Sequence, residues 1–134
     1  MLRVIEEIAK MIANMLNLLK DGKPEVANEM AAQTLNDFFS LNADELATLG
    51  DLERTLAEEH KLDTAQLQVI AGLLYIRAEA FYATGEAGKS KLNYERALEL
   101  YTFVNTADKA TFSLERKGRM DHILKMLQAF EAGS

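Results

Sequence analysis

The chain has 134 residues, 49% of them apolar and 27% charged, which suits one domain with a real core and excludes general disorder. A net charge of −6 argues against nucleic acid as a partner, because phosphate binding calls on a surplus of Lys and Arg. With no Cys there is no disulfide framework and no thiolate nucleophile or metal ligand.

The first predicted helix runs from Leu2 to Lys20. Its polar residues Arg3, Glu6, Glu7, Lys10, Asn14, Asn17 and Lys20 recur at helical spacing and fill about 140° of the circumference. That charge run is one a secretory core segment or membrane span would not tolerate, so a cytoplasmic protein without membrane association is expected. The remaining surface carries two apolar rows: Val4, Ile8, Met11, Met15 and Leu18, and beside them Ile5, Ile12, Leu16 and Leu19. A surface helix needs an apolar stripe of roughly 100°. The excess predicts that this helix is covered on two sides, by its own chain or by a second copy. Ile5, Ile12, Leu16 and Leu19 are the candidate self-association row of a homodimer.

Asp21-Gly22-Lys23-Pro24 reads as a turn, with Gly in the left-handed cap and Pro in the first turn of the next helix. The second helix runs to Phe39 with Val26, Ala27, Met30, Ala31, Leu35 and Phe38 expected inward. Asn42 with Glu45 forms a predicted capping box for a short third helix, interrupted near Gly50 and resumed from Asp51 through Leu52 and Leu56 to His60. Asp63 with Gln66 starts the fourth, which continues to Thr84 and is apolar over most of its surface, as befits a central element. The fifth covers Glu86 to Val104, and Thr106 is the predicted cap of a sixth ending at Phe130. No alternating strand pattern occurs. The expected fold is a single all-α domain spanning residues 1–134, made of antiparallel helical hairpins as a TPR-like right-handed superhelix or a bundle of about six helices.

Residues Leu74 to Thr102 carry the one specific packing pattern. The tetratricopeptide (TPR) spacing of large and small residues falls on Leu74, Arg77, Ala78 and Phe81, then Ser90 and Tyr94, then Thr102, with Ala97 as a further small residue. Small Ala78, Ser90 and Ala97 let two backbones approach, while Phe81 and Tyr94 fill the gaps between turns. Arg77 stands where the pattern has an apolar Leu, and Thr102 where it has Pro. A fainter copy places Met15, Leu18, Ala27, Ala31 and Thr34 around Gly22.

The chain also resembles an uncharacterised bacterial family of short TPR-like helical proteins. The resemblance rests on Leu2-Arg3-Val4-Ile5-Glu6-Glu7-Ile8, on the Leu62-Asp63 start of the long helix, and on Ala78-Glu79-Ala80-Phe81 through Gly85. It implies the fold over nearly the whole chain and no particular activity.

Chemical motifs are sparse. Ala83 to Ser90 fits a relaxed phosphate-loop pattern ending in Gly-Lys-Ser, but such a loop follows a buried strand, and the segment before it has helical periodicity. The bland reading is an interhelical turn. His60 lies among Glu58, Glu59 and Asp63. Neither it nor His122 has a Glu three residues earlier, so a solvated helix end is favoured over a metal site. Arg116, Lys117, Arg119 and Lys125 make the last helix basic, a pattern typical of a solvated face.

No catalytic constellation emerges, so the expectation is a protein that is not an enzyme and needs no cofactor or metal. Its predicted partner is another protein or a peptide. Tyr75, Glu79 and Tyr82 share one face of the fourth helix, extended by Gln68 and Gly72, and form the candidate binding groove; the alternative is that the third or sixth helix covers the tyrosines. A small-molecule or nucleotide site at the Gly85–Ser90 turn or in an interhelical pocket is the second functional reading.

Overall fold

The computed structural model describes residues 2–107 and 113–133. Among these residues the chain is all helical: α1 Leu2–Lys20, α2 Pro24–Phe39, α3 Ala43–Thr48, α4 Leu52–Arg54, α5 Thr64–Ala83, α6 Ala87–Ala107 and α7 Leu114–Ala132. A single π-helical turn, Thr55–Glu59, extends α4.

Local chemistry sets the helix ends. Gly22 takes φ +74° between α1 and α2, and Pro24 opens α2 where its missing N–H costs nothing. Asn42 accepts the Glu45 N–H at 3.0 Å to start α3. Asp63 and Gln66 cap α5 reciprocally, at 2.8 and 2.9 Å. Gly85, at φ +83°, turns the chain from α5 into α6, and the Glu86 N–H closes the turn onto the Phe81 carbonyl at 2.9 Å.

Two expectations are corrected. Thr106 does not cap the last helix: it lies inside α6, with its hydroxyl donating to the Thr102 carbonyl at 3.1 Å. Ser113 is the cap, accepting the Arg116 N–H at 3.1 Å. Val26 and Phe38, expected inward on α2, are exposed: Val26 lies about 120° around the helix from the centre of the buried stripe Ala27, Ala31, Thr34 and Leu35, and Phe38 sits in the last turn of the helix.

The core centres on α5. Leu67, Ile70, Leu73, Leu74 and Ile76 are buried, and α1, α2 and α6 all pack against this helix. The α5–α6 hairpin closes through small residues: Ala78, Ser90 and Ala97 are fully buried, as are Tyr94 and Leu100. In the preceding hairpin, Met15, Ala27, Ala31 and Thr34 are likewise buried.

Arg77 is buried too, at 6% exposure. Its guanidinium donates to Asn28 at 3.0 Å and to Asp44 at 2.9 Å, tying α5 to α2 and α3, and lies 5.1 Å from the centre of the Phe81 ring. Burial lowers the Arg77 pKa, and the adjacent Asp44 carboxylate opposes that shift. The position accepts Arg in place of an apolar residue because each end of the fork meets an acceptor.

Candidate functional site

The residues Gln68, Gly72, Tyr75, Glu79 and Tyr82 follow one another at steps of three and four and therefore lie along one side of α5. The structure places α1 and α7 beside that line. Gly72 is the point of closest approach: a Cβ there would stand 3.0 Å from Ile12 Cδ1, 3.2 Å from Arg119 Nη1 and 3.5 Å from the Tyr101 hydroxyl. Three helices thus converge on a residue without a side chain.

The sequence expectation of exposed tyrosines divides here. Tyr75 is 8% exposed, which corrects the idea of a free aromatic platform. Its ring meets His122 of α7 edge-on at 6.0 Å and Tyr94 of α6 at 6.1 Å, and the Arg119 guanidinium lies 5.9 Å from its centre. Glu79 is half-buried, accepting a hydrogen bond from the Tyr94 hydroxyl and pairing with His122 Nε2 at 3.1 Å. Tyr82 is 56% exposed and touches Phe130 of α7 edge-on at 6.0 Å.

What remains open is a groove between α1 and α7. One depression of about 500 Å³ has Tyr75 as its floor, Ala9, Ala13 and Leu16 of α1 on one wall, and Leu114, Glu115, Gly118 and Arg119 of α7 on the other. A second, of about 640 Å³, is lined by Ala13, Leu16, Asn17, Leu19 and Lys20 of α1 and by Glu79. Shared Ala13 and Leu16 make the two continuous along α1.

The candidate self-association row is split by this arrangement. Leu16 and Leu19 line the groove while half-buried, and Ile5 packs partly against the core. Ile12 is 3% exposed and belongs to the core, because α5 meets it at Gly72; it is removed from any outer row. The wide apolar surface of α1 is therefore covered in part by its own chain.

The basic character of α7 resolves into specific pairings. Arg116, 5% exposed, donates from Nε to Asn105 at 2.6 Å and from Nη1 to Gln68. Arg119 donates to the Tyr101 hydroxyl at 3.1 Å and to Glu115. Lys117 pairs with Asp121 at 2.9 Å across one helical turn. The bonds of Arg116 and Arg119 to Asn105, Gln68 and Tyr101 tie α7 to α5 and α6, with Ile123 as its fully buried apolar anchor. The sequence pattern could not separate such inward arginines from a solvated face, since both give the same charge spacing.

Burial raises the pKa of Tyr75, and the nearby Glu79 charge adds to the shift. Burial also raises that of Tyr94, and its hydrogen bond to Glu79 reinforces it. Both hydroxyls beside the His122–Glu79 pair are thus poor sources of a phenolate nucleophile.

The phosphate-loop match has no strand before it. Its first residue, Ala83, ends α5, and the Ser90 hydroxyl is buried and committed to the Ala78 carbonyl at 2.8 Å. His60 is exposed just beyond the π-helical turn, and among the described residues no three His, Cys, Asp or Glu side chains are grouped to hold a metal ion. No helix among them is long and apolar enough to cross a membrane. No protein-family model, curated protein or solved structure matches the chain.

Proposed function

We propose that the protein is a non-catalytic, TPR-like interaction module that holds a segment of a partner protein in the α1–α7 groove. The single observation that carries this reading is the continuity of the two depressions along Ala13 and Leu16, with Tyr75 and Glu79 beneath them. The walls offer apolar contact from Leu16, Leu19 and Leu114, and the rims carry both signs of charge in Lys20, Arg119 and Glu115. This suits an amphipathic segment with apolar side chains pointing inward and charged ones at its edges. Tyr75 contributes as a fixed floor, already immobilised by Tyr94 and His122, so ordering it costs nothing on binding.

The test uses Ala13, which is exposed on the groove wall. Ala13→Arg fills the shared point of the groove with a good helix former and should leave stability within about 0.5 kcal/mol. A partner co-purified from native cells with the unmodified chain should be lost with the variant, while helicity stays the same. Retention of the partner by Ala13→Arg would overturn the groove as its seat. Light scattering distinguishes a second copy as occupant: a dimer that Ala13→Arg and Leu16→Glu both convert to monomer assigns the groove to self-association.

A further inference from the structure

The outermost row of α1 is complementary to itself. Glu6, Ala13 and Lys20 stand seven residues apart, so they fall on one stripe of the helix with a drift of about 20° per step. All three are exposed. Ala13 lines both depressions of the groove, and Lys20 lines the second. The stripe therefore runs along the mouth of the groove, with an acid about 10 Å along the axis on one side of Ala13 and a base about 10 Å along it on the other.

Turning this row end for end about Ala13 exchanges the sign at each end. Two α1 helices laid antiparallel, with both Ala13 residues on a two-fold axis, bring Glu6 of one copy opposite Lys20 of the other, twice over. A parallel pair would set Glu6 against Glu6 and Lys20 against Lys20. A two-fold contact requires this kind of self-complementarity. At the crossing, Ala13 has no side chain beyond Cβ to hold the helices apart, so half-buried Leu16 on the same wall comes within reach of the second helix. Leu114, 78% exposed on the α7 bank, offers that helix another apolar contact. Net charge favours the same face. The whole chain carries −6, whereas α1 carries three cations, Arg3, Lys10 and Lys20, against two anions, Glu6 and Glu7. Two copies can meet here without bringing their acidic surplus together.

We propose that the occupant of the α1–α7 groove is a second copy of this chain, its α1 lying antiparallel to the first across Ala13, with two Glu6–Lys20 ion pairs at the ends. The inference rests on the groove as a binding seat and names what fills it. Exposed ion pairs add little affinity, so these select the partner and its direction, while Ala13, Leu16 and Leu114 supply the apolar contact. Ile12, in the core, takes no part.

The test is sedimentation velocity on the full chain, from about 1 to 500 µM at low salt. A dimer is expected. Glu6→Lys and Lys20→Glu, at exposed positions, should each keep the helical circular-dichroism spectrum. Each should weaken the dimer at least about tenfold, since either change sets two like-charged pairs against each other. The double variant Glu6→Lys/Lys20→Glu restores both pairs with their signs exchanged and should regain the original dissociation constant within about threefold. An equimolar mixture of the two single variants should dimerise for the same reason. Single variants that dimerise as well as the original chain, or a double variant no stronger than the singles, overturn the proposal. A dimer that Ala13→Arg leaves intact does so as well, because its contact lies elsewhere. A chain that stays monomeric up to about 500 µM overturns self-pairing alone and leaves the groove to the Ala13→Arg test with a different protein.

Discussion

The Ser90 hydroxyl donates to the carbonyl oxygen of Ala78 across the α5–α6 hairpin, at 2.8 Å and with both residues fully buried. A side chain larger than Ser would hold the two helices apart, and one without a hydroxyl would forgo the bond. Ser90→Ala should cost about 1 kcal/mol, the worth of one buried hydrogen bond. Ser90→Leu should cost about 1–3 kcal/mol or more through overpacking. Urea denaturation of the two variants measures the difference.

Gly72→Ala sets two effects against each other. Ala is favoured over Gly in a helix interior by about 1 kcal/mol. The added methyl would meet Ile12 Cδ1 at 3.0 Å and the Arg119 guanidinium at 3.2 Å. Ile12 is hemmed in by the core, and moving Arg119 disturbs its bond to Tyr101, so overpacking of about 1–3 kcal/mol wins. The melting temperature should fall by about 4 °C. A rise would mean that Ile12 has room to yield.

Arg77 separates size from charge. Arg77→Ala removes packing from under Phe81 and both hydrogen bonds, and should destabilise by about 2–5 kcal/mol. Arg77→Met keeps most of the volume and leaves Asp44, whose side chain is 91% exposed, free to hydrate. Its cost should stay below about 1.5 kcal/mol, because the volume is nearly conserved and the exposed carboxylate is not left buried without a partner. Thermal denaturation of both variants gives the comparison.

Glu99 carries the acid-side prediction. Burial raises its pKa, its hydrogen bond to Glu53 adds to the shift, and Arg96 at 2.7 Å opposes it. A carboxyl group raised in the folded state binds its proton more tightly there than in the unfolded chain. Its stabilising effect is therefore present below the ordinary carboxyl pKa and is lost as pH rises through the folded value. Glu99→Gln, which imitates the protonated form, should raise the melting temperature at pH 7. Near pH 3.5 the gain should disappear. An equal gain at both values would assign the effect to packing.

Helix periodicity and end chemistry made the fold legible. The capping pair Asp63–Gln66 and the Gly22 and Gly85 turns marked boundaries, and the uniform apolar character of α5 marked the centre. Tyr75 shows where this failed. Its spacing puts it on the line of α5 that bears the groove, but whether α7 lies over it depends on contacts such as Arg116–Gln68 and His122–Glu79, formed by residues more than 40 positions apart. Arg77 failed for a related reason: its acceptors Asn28 and Asp44 come from other helices, so a lone charge in an apolar run looked like a flaw in the repeat. The start of α7 is not legible in the sequence because Ser113 is followed three residues later by Arg116, which lacks the Glu or Gln of a capping box.

The burial of α5 on nearly every side divides the molecule between a fixed spine and two adjustable banks. The groove floor cannot be rewritten, since Tyr75 and Gly72 also support α6, α7 and α1. Ala9, Ala13, Leu114 and Gly118 on the banks face water, where most substitutions change stability by no more than about 0.5 kcal/mol. A library confined to those four positions would reshape the groove without the need to solve the folding of the chain again.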